Sequence, residues 1–148
     1  MWRSPQRRNL ELLLVEDNPA DILLLREILA EAEVALELRL VNDGEAALAY
    51  LRREGRYAAT SRPDLIMLDL NLPGQGGRQV LKEIKEDPAL SAIPVIILST
   101  SQSEEDIVDC YRLHANCYIS KPVSLDEFIE VIRSIESFWF RTVKLPGN

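Results

Sequence analysis

Short apolar runs and longer amphipathic stretches alternate five times along the chain. Each short run spans four or five residues and is apolar at most positions, without strict alternation. Continuous apolarity over this length predicts strands that are covered on both faces, as in a parallel sheet. The predicted strands are Glu11–Val15, Glu37–Val41, Leu65–Asp69, Val95–Leu98 and Cys117–Ser120.

The stretches between the runs carry apolar residues at helical spacing. Residues that favour helix starts precede four of them, namely Asn18, Asp43, Ser103 and Ser124. In the last stretch we expect one stripe to face the sheet, formed by Leu125, Phe128, Ile129, Ile132, Ile135 and Trp139. Five right-handed strand–helix units give an α/β fold, a (βα)₅ three-layer sandwich. We expect one domain over residues 10–141, with tails at residues 1–9 and 142–148.

Three of the predicted strands lead into charged residues. Glu16 and Asp17 follow the first strand, Asp69 ends the third, and Lys121 follows the fifth. In open α/β sheets the carboxyl ends of the strands form the crevice in which ligands bind, so these groups are expected to converge. Three bare carboxylates would repel one another, whereas Mg²⁺ accepts carboxylates together with water and phosphate oxygens. The sequence therefore predicts Mg²⁺-assisted phosphoryl chemistry on a carboxylate.

The net charge of the chain limits the kinds of partner that it is expected to bind. A formal net charge of −7 at pH 7 argues against nucleic acid and an anionic membrane surface, because both call for a basic patch. No apolar run approaches the roughly 18 residues of a membrane span. The arginines near the N-terminus precede a strand-sized apolar run, which does not fit an export signal. We therefore expect a cytoplasmic protein.

A second cluster of potential metal ligands consists of Cys110, His114 and Cys117. A structural zinc site normally has four ligands, and the chain contains no further Cys or His. We therefore favour packing of these residues at a helix end and a strand start over a zinc site.

Five segments, in this order along the chain and all but Gly77 at a strand end, resemble the receiver domain of two-component response regulators. They are Val15–Asn18, Leu68–Gly74, Gly77, Leu98–Thr100 and Tyr118–Pro122. The resemblance covers nearly the whole chain and implies a flavodoxin-like fold with strand order 2-1-3-4-5.

The resemblance also implies roles for the acidic residues. Asp69 would be the phosphoacceptor, attacking a phosphoryl group carried by a kinase. Glu16, Asp17 and Asp69, with the backbone carbonyl of Asn71, would hold the Mg²⁺ cofactor. Glu16 stands where an aspartate is more common in the family, and the longer side chain keeps the charge.

The remaining implied site residues would bind the phosphoryl oxygens. Lys121 would bring a positive charge to them, and the Ser99 hydroxyl and the Thr100 N–H would donate hydrogen bonds. In the family the hydroxyl moves on phosphorylation and the tyrosine-type position, here Tyr118, turns inward. The peptide bond between Lys121 and Pro122 resembles one that is cis in the family.

Only eight residues follow Phe140, too few for a DNA-binding or enzymatic output domain. We therefore expect a signalling protein rather than an enzyme, with a sensor histidine kinase as partner. Residues 116–119 and 138–140 resemble single-domain regulators that pair with phytochrome-type light-sensing kinases. The alternative is a degenerate receiver that acts only as a binding or dimerisation module.

The predicted C-terminal helix carries more apolar surface than one sheet contact needs. Val131, Phe138 and Phe140 widen its stripe to roughly 200°, against somewhat over 100° for a helix that covers a sheet. Such surface favours a contact site, so we expect a homodimer through this helix. The alternative is that the terminal aromatic residues fold back onto their own domain.

Overall fold

The computed structural model describes residues 9–146, so most of the predicted N-terminal tail and the last two residues lie outside that range. Five strands form the sheet: β1 (Leu10–Val15), β2 (Leu36–Val41), β3 (Leu65–Leu68), β4 (Val95–Ser99) and β5 (Cys117–Ser120). All pair in parallel, in the order β2-β1-β3-β4-β5. The flavodoxin-like α/β prediction is confirmed, and each strand bound lies within one residue of its predicted position.

A helix follows each strand: α1 (Pro19–Ala30), α2 (Gly44–Arg52), α3 (Gly77–Glu86), α4 (Glu104–Arg112) and α5 (Leu125–Ile135). A short 3₁₀ turn forms at Gly55–Tyr57, and α5 continues into a π-helical segment at Glu136–Thr142. The predicted cap residues Asn18, Asp43, Ser103 and Ser124 each accept a hydrogen bond from the backbone N–H three residues later. These caps fix the helix starts, and thereby the loops at the carboxyl edge of the sheet.

The sheet separates two apolar cores. Helices α2, α3 and α4 cover one face, whereas α1, α5 and the π-helical segment cover the other. Cys110 lies in the first core and Cys117 packs against the second, so the sheet stands between two members of the cysteine–histidine cluster.

Both faces of every strand were predicted to be covered, and the edge strand β2 does not fit that prediction. Its three leucines, at positions 36, 38 and 40, are half-buried against the second core. Glu37 and Arg39 alternate with them and form an ion pair with each other at 3.4 Å. An edge strand has fewer neighbours to cover it, so one face stays polar.

The prediction for the last helix was partly wrong. Leu125 is 56% exposed, because it is the first residue of α5 and lies at the carboxyl edge, where the sheet ends. Phe140 is buried in the second core and does not widen the exposed stripe. The reason is the π-helical segment, whose wider turn changes the directions of the terminal side chains. Trp139 is half-buried, and Phe138 remains 51% exposed.

In the part of the chain that the structure describes, no helix combines the length and the apolarity needed to cross a membrane.

Candidate functional site

The predicted acidic residues meet at the carboxyl edge of the sheet. Oxygen atoms of Glu16, Asp17 and Asp69 lie within 4.8 Å of one another. Glu16 and Asp69 are buried, whereas Asp17 is exposed. Within residues 9–146 these three form the one acidic group with the spacing of a metal site.

The backbone holds these side chains in place because the sheet bonding continues past the strand ends. The Glu16 N–H donates to the Val41 carbonyl at 3.1 Å, and the Asp69 N–H donates to the Val15 carbonyl at 3.1 Å. The Lys121 N–H likewise donates to the Ser99 carbonyl at 2.6 Å. Each charged residue therefore starts from a rigid part of the fold.

The loop after Asp69 returns closely against the acceptor. The Gly77 N–H donates to the Leu70 carbonyl at 3.0 Å. A Cβ atom at position 77 would lie 2.3 Å from the Asp69 carbonyl oxygen and 2.6 Å from Leu70 Cα. Both are backbone atoms, so glycine is the residue that fits this contact.

Lys121 crosses the site as a buried cation. Its Nζ lies 2.8 Å from Glu16 Oε1, 2.9 Å from Asp21 Oδ2 and 3.6 Å from Asp69 Oδ2. Burial alone would lower the pKa of Lys121, but hydrogen bonds to Glu16 and Asp21 outweigh it and raise that pKa. The ammonium therefore stays charged beside the acceptor.

The pKa of Glu16 is shifted by the buried, acidic surroundings of the site. Burial raises the pKa of Glu16 from 4.5 to about 8, and its hydrogen bond with Asp69 adds to the effect. Lys121 acts in the opposite direction without cancelling the shift. A proton on a buried carboxyl group takes the place of a positive counter-ion. A hard divalent cation suits the same oxygen atoms. The donor set therefore fits a hard divalent cation.

The raised pKa of Glu16 predicts a pH-dependent stability. Between pH 4.5 and about 8 the folded protein holds a proton on Glu16 that the unfolded chain has lost. The free energy of unfolding in EDTA should therefore fall as the pH rises through this window, by at most about 5 kcal/mol from this residue. Urea titrations at several pH values measure the slope. Glu16→Gln should flatten it, and an equal slope in that variant would contradict the assignment.

The other predicted site residues lie around this centre. The Asn71 N–H donates to Asp69 Oδ1 at 3.2 Å, and its side-chain Nδ2 donates to Thr100 Oγ1 at 3.5 Å. Ser99 is fully buried, and its hydroxyl oxygen accepts from the Ser101 N–H at 3.2 Å. Asn71 and Thr100 thus connect the acceptor to the end of β4, while the Ser99 hydroxyl is bonded within the β4–α4 loop.

Two contacts attach this loop and α4 to their surroundings. The Tyr118 hydroxyl donates to the Ser101 carbonyl at 2.7 Å, which ties β5 to the loop. Arg78, the residue after Gly77, pairs with Asp106 and with Asp109 of α4, the latter at 2.9 Å. We call these two ion pairs the α3–α4 brace. Tyr118 thus holds the β4–α4 loop, and the brace holds α4 to the start of α3.

The peptide bond between Lys121 and Pro122 is trans, since the residues that the structure describes contain no cis peptide bond. The expected cis bond was therefore wrong. Trans is the lower-energy form of an X–Pro bond, by about 0.5–1 kcal/mol.

Asp21 is the site residue that sequence reasoning missed. It lies in the first turn of α1, where its backbone N–H donates to the side chain of the cap residue Asn18 at 3.1 Å. The available signal was the spacing from the predicted helix start, which places Asp21 in the turn that faces the carboxyl edge. An acidic residue in a first turn is common for its effect on the helix dipole, so that signal alone did not indicate a contact with Lys121.

Comparisons with known proteins agree with this geometry. The family model of the response regulator receiver domain matches residues 12–133. Response regulator Rcp1 of Synechocystis sp. is 47% identical over 136 residues, which cover 92% of each chain.

Two solved structures have the same architecture. The phosphorylated cyanobacterial phytochrome response regulator RcpA superposes with a TM-score of 0.92 at 53% identity, over 95% of this chain and 100% of that one. The Mn²⁺-bound form of Rcp1 superposes with a TM-score of 0.90 at 47% identity, over 93% and 99% of the two chains. The chain therefore belongs to the family of response regulator receiver domains, and the phytochrome response regulators are among its relatives.

Proposed function

We propose that the chain receives a phosphoryl group on Asp69 from a sensor histidine kinase and signals through protein contacts. The observation that carries this proposal is the buried Asp69 carboxylate, held beside two further carboxylates and 3.6 Å from the Lys121 ammonium. Phosphoryl transfer depends mainly on positioning and charge neutralisation. This site offers both, because its groups are fixed by the sheet and carry opposite charges.

The proposed reaction is a transfer between two nucleophiles. A carboxylate oxygen of Asp69 attacks phosphorus and forms the P–O bond of an acyl phosphate. The P–N bond of the kinase phosphohistidine breaks, and its nitrogen keeps the electron pair. Lys121 neutralises charge on the phosphoryl oxygens, since an ammonium has three N–H donors to place.

Glu16, Asp17 and Asp69, together with the backbone carbonyl of Asn71, are the groups that would hold Mg²⁺ in this proposal. When bound, the ion supplies positive charge that offsets the oxygens gathered around phosphorus. The support for a divalent metal is the 4.8 Å carboxylate cluster and the Mn²⁺-bound form of the relative Rcp1.

The phosphoryl group is proposed to pull on the β4–α4 loop. The Ser99 hydroxyl and the Thr100 N–H would donate to its oxygens, so Ser99 would turn from the Ser101 N–H towards Asp69. Because the Tyr118 hydroxyl is bonded to the Ser101 carbonyl, movement of the loop would move this tyrosine as well. Phosphorylation adds about −1.5 to −2 charges, which is a strong local attraction for such donors.

A direct test uses a small phosphoryl donor. We expect the protein to gain the mass of one phosphoryl group when incubated with acetyl phosphate and Mg²⁺, and to gain none in EDTA. Intact-mass spectrometry measures the change. A protein that binds Mg²⁺ but is not labelled by acetyl phosphate or by a cognate kinase would instead be a degenerate receiver.

The proposed donor in the cell is a phytochrome-type kinase in the cytoplasm. Its support is the identity of 53% with RcpA, a cyanobacterial phytochrome response regulator, across all of that chain. The degenerate alternative is disfavoured by geometry, because Asp69 and Lys121 are both present and lie 3.6 Å apart.

We also propose a homodimer through the C-terminal part of the chain, on a smaller surface than the sequence predicted. Phe140 is buried, which leaves Phe138 as the large exposed aromatic residue of this segment. Its ring stands edge-on to Trp139, at 5.6 Å between ring centroids. Trp139 itself packs against the second core.

Truncation of Phe138 tests this surface. Phe138→Ala should weaken self-association about tenfold, because an exposed aromatic anchor that becomes buried in an interface contributes over 1 kcal/mol. Sedimentation velocity over a concentration series measures the shift from dimer to monomer. Leu23→Ala is the matched control, since Leu23 is 61% exposed on α1. A wild-type protein that is monomeric at high micromolar concentration would contradict the proposal.

A further inference from the structure

Lys121 has two hydrogen-bonded carboxylate partners, and only one of them belongs to the acidic cluster. Glu16 is a member of the group whose oxygens lie within 4.8 Å of one another, whereas Asp21 is not. Yet the Asp21 oxygen lies as close to Lys121 Nζ, at 2.9 Å against 2.8 Å for Glu16. The lysine is thus shared between the metal-binding groups and a carboxylate outside them.

Asp21 is held rigidly where it meets the lysine. It lies in the first turn of α1, which Pro19 begins and Asn18 caps through the backbone N–H of Asp21. Its side chain is 26% exposed, and the Lys121 side chain is 5% exposed. The Asp21–Lys121 pair is therefore partly desolvated, and it joins a fixed helix end to a strand end. Breaking it should cost more free energy than breaking an exposed ion pair.

A cation at the acidic cluster and the ammonium of Lys121 compete for Glu16. The same Glu16 carboxylate that would bind the metal accepts a hydrogen bond from Lys121. A buried ammonium that loses its partner carries a large desolvation cost. Asp21 remains available as a partner, because it lies outside the cluster.

We propose that Asp21 is a positioning residue for Lys121, holding its ammonium beside Asp69 when Glu16 turns to the metal. This inference rests on the proposed function, because a lysine held beside Asp69 would bind the oxygens of a phosphoryl group on that residue. Without the Asp21 carboxylate, Lys121 keeps its hydrogen bond to Glu16 and so opposes metal binding.

The first experiment measures Mg²⁺ binding directly by calorimetry, without any phosphoryl donor. Asp21→Asn should weaken Mg²⁺ binding about fivefold, through the lost coupling with Lys121. Asp21→Glu retains the charge and should restore most of the affinity. Glu27→Gln removes the same charge from an exposed position of α1 and should leave the affinity unchanged.

A double-mutant cycle separates positioning from simple charge. In a Lys121→Gln background, Asp21→Asn should change Mg²⁺ affinity less than about twofold, because its route through the lysine is gone. An undiminished effect in that background would overturn the inference, since Asp21 would then act on the metal by its own charge. Wild-type affinity in Asp21→Asn itself would overturn it too.

Phosphorylation by acetyl phosphate at saturating Mg²⁺ gives the second readout. Asp21→Asn should be labelled more slowly than both wild type and Asp21→Glu, at a temperature where all three proteins are folded. An equal labelling rate would overturn the role beside Asp69. If the wild type binds Mg²⁺ but is never labelled, the proposed function fails, while the binding cycle still decides whether Asp21 positions Lys121.

Discussion

Replacement of Asp69 by Asn is expected to abolish phosphorylation completely. The amide nitrogen and oxygen of Asn are far poorer nucleophiles than a carboxylate, so no acyl phosphate can form at this position. The fold should survive, because Asn has nearly the same shape and removes one of three mutually repelling carboxylates. Intact-mass spectrometry after incubation with acetyl phosphate and Mg²⁺ measures the loss, and a urea titration confirms that the variant is folded.

The matched control is Asp126→Asn, which makes the same chemical change on the exposed first turn of α5. It should be labelled at the wild-type rate. Undiminished labelling of Asp69→Asn would show that another residue accepts the phosphoryl group, and it would contradict the assignment of Asp69 as the acceptor.

Replacement of Gly77 by Ala is expected to cause the largest loss of stability among single substitutions near the site. The added Cβ would meet the Asp69 carbonyl oxygen at 2.3 Å and Leu70 Cα at 2.6 Å. Neither atom can rotate away, so the loop must shift, at a cost of about 2–3 kcal/mol. Because the displaced carbonyl belongs to Asp69, labelling by acetyl phosphate should also slow. Urea unfolding gives the change in free energy.

The neighbouring glycine supplies the control. A Cβ at Gly76 would have no atom within 4 Å, and the φ of this residue is −67°. Gly76→Ala should therefore change stability by less than about 0.5 kcal/mol. Equal stability of the two variants would show that the loop after Asp69 yields more easily than its contacts indicate.

The sequence was sufficient for the parts of the site that depend on local pattern. A buried strand that ends on a charged residue is visible in the order of residues alone, as at Val15–Asp17 and Leu68–Asp69. Parallel pairing then brings such ends together, which is why Glu16, Asp17 and Asp69 converge as predicted. The helix caps were predictable for the same reason, since each is a bond between residues three apart.

What the sequence could not provide depends on contacts between distant segments. The pairing of Asp21 with Lys121 joins residues one hundred positions apart, and no local rule distinguishes it from an ordinary first-turn aspartate. The burial of Phe140 depends on the change from α- to π-helical geometry after Ile135, which shifts side chains that a regular helix would expose. The half-covered strand β2 follows from its place at the sheet edge, which is a property of the strand order.

The α3–α4 brace has a consequence for the ionic conditions under which the protein works. The Arg78 side chain is 42% exposed, and those of its partners Asp106 and Asp109 are 27% and 33% exposed, so dissolved ions reach all three. Attraction between such groups is screened over about 8 Å at physiological ionic strength and over about 3 Å at 1 M. Added salt therefore loosens the hold of α3 on α4 while leaving the buried Lys121 contacts nearly unchanged. We therefore expect the position of α4, and any surface it offers a partner, to respond to the salt content of the solution as well as to the proposed phosphorylation of Asp69.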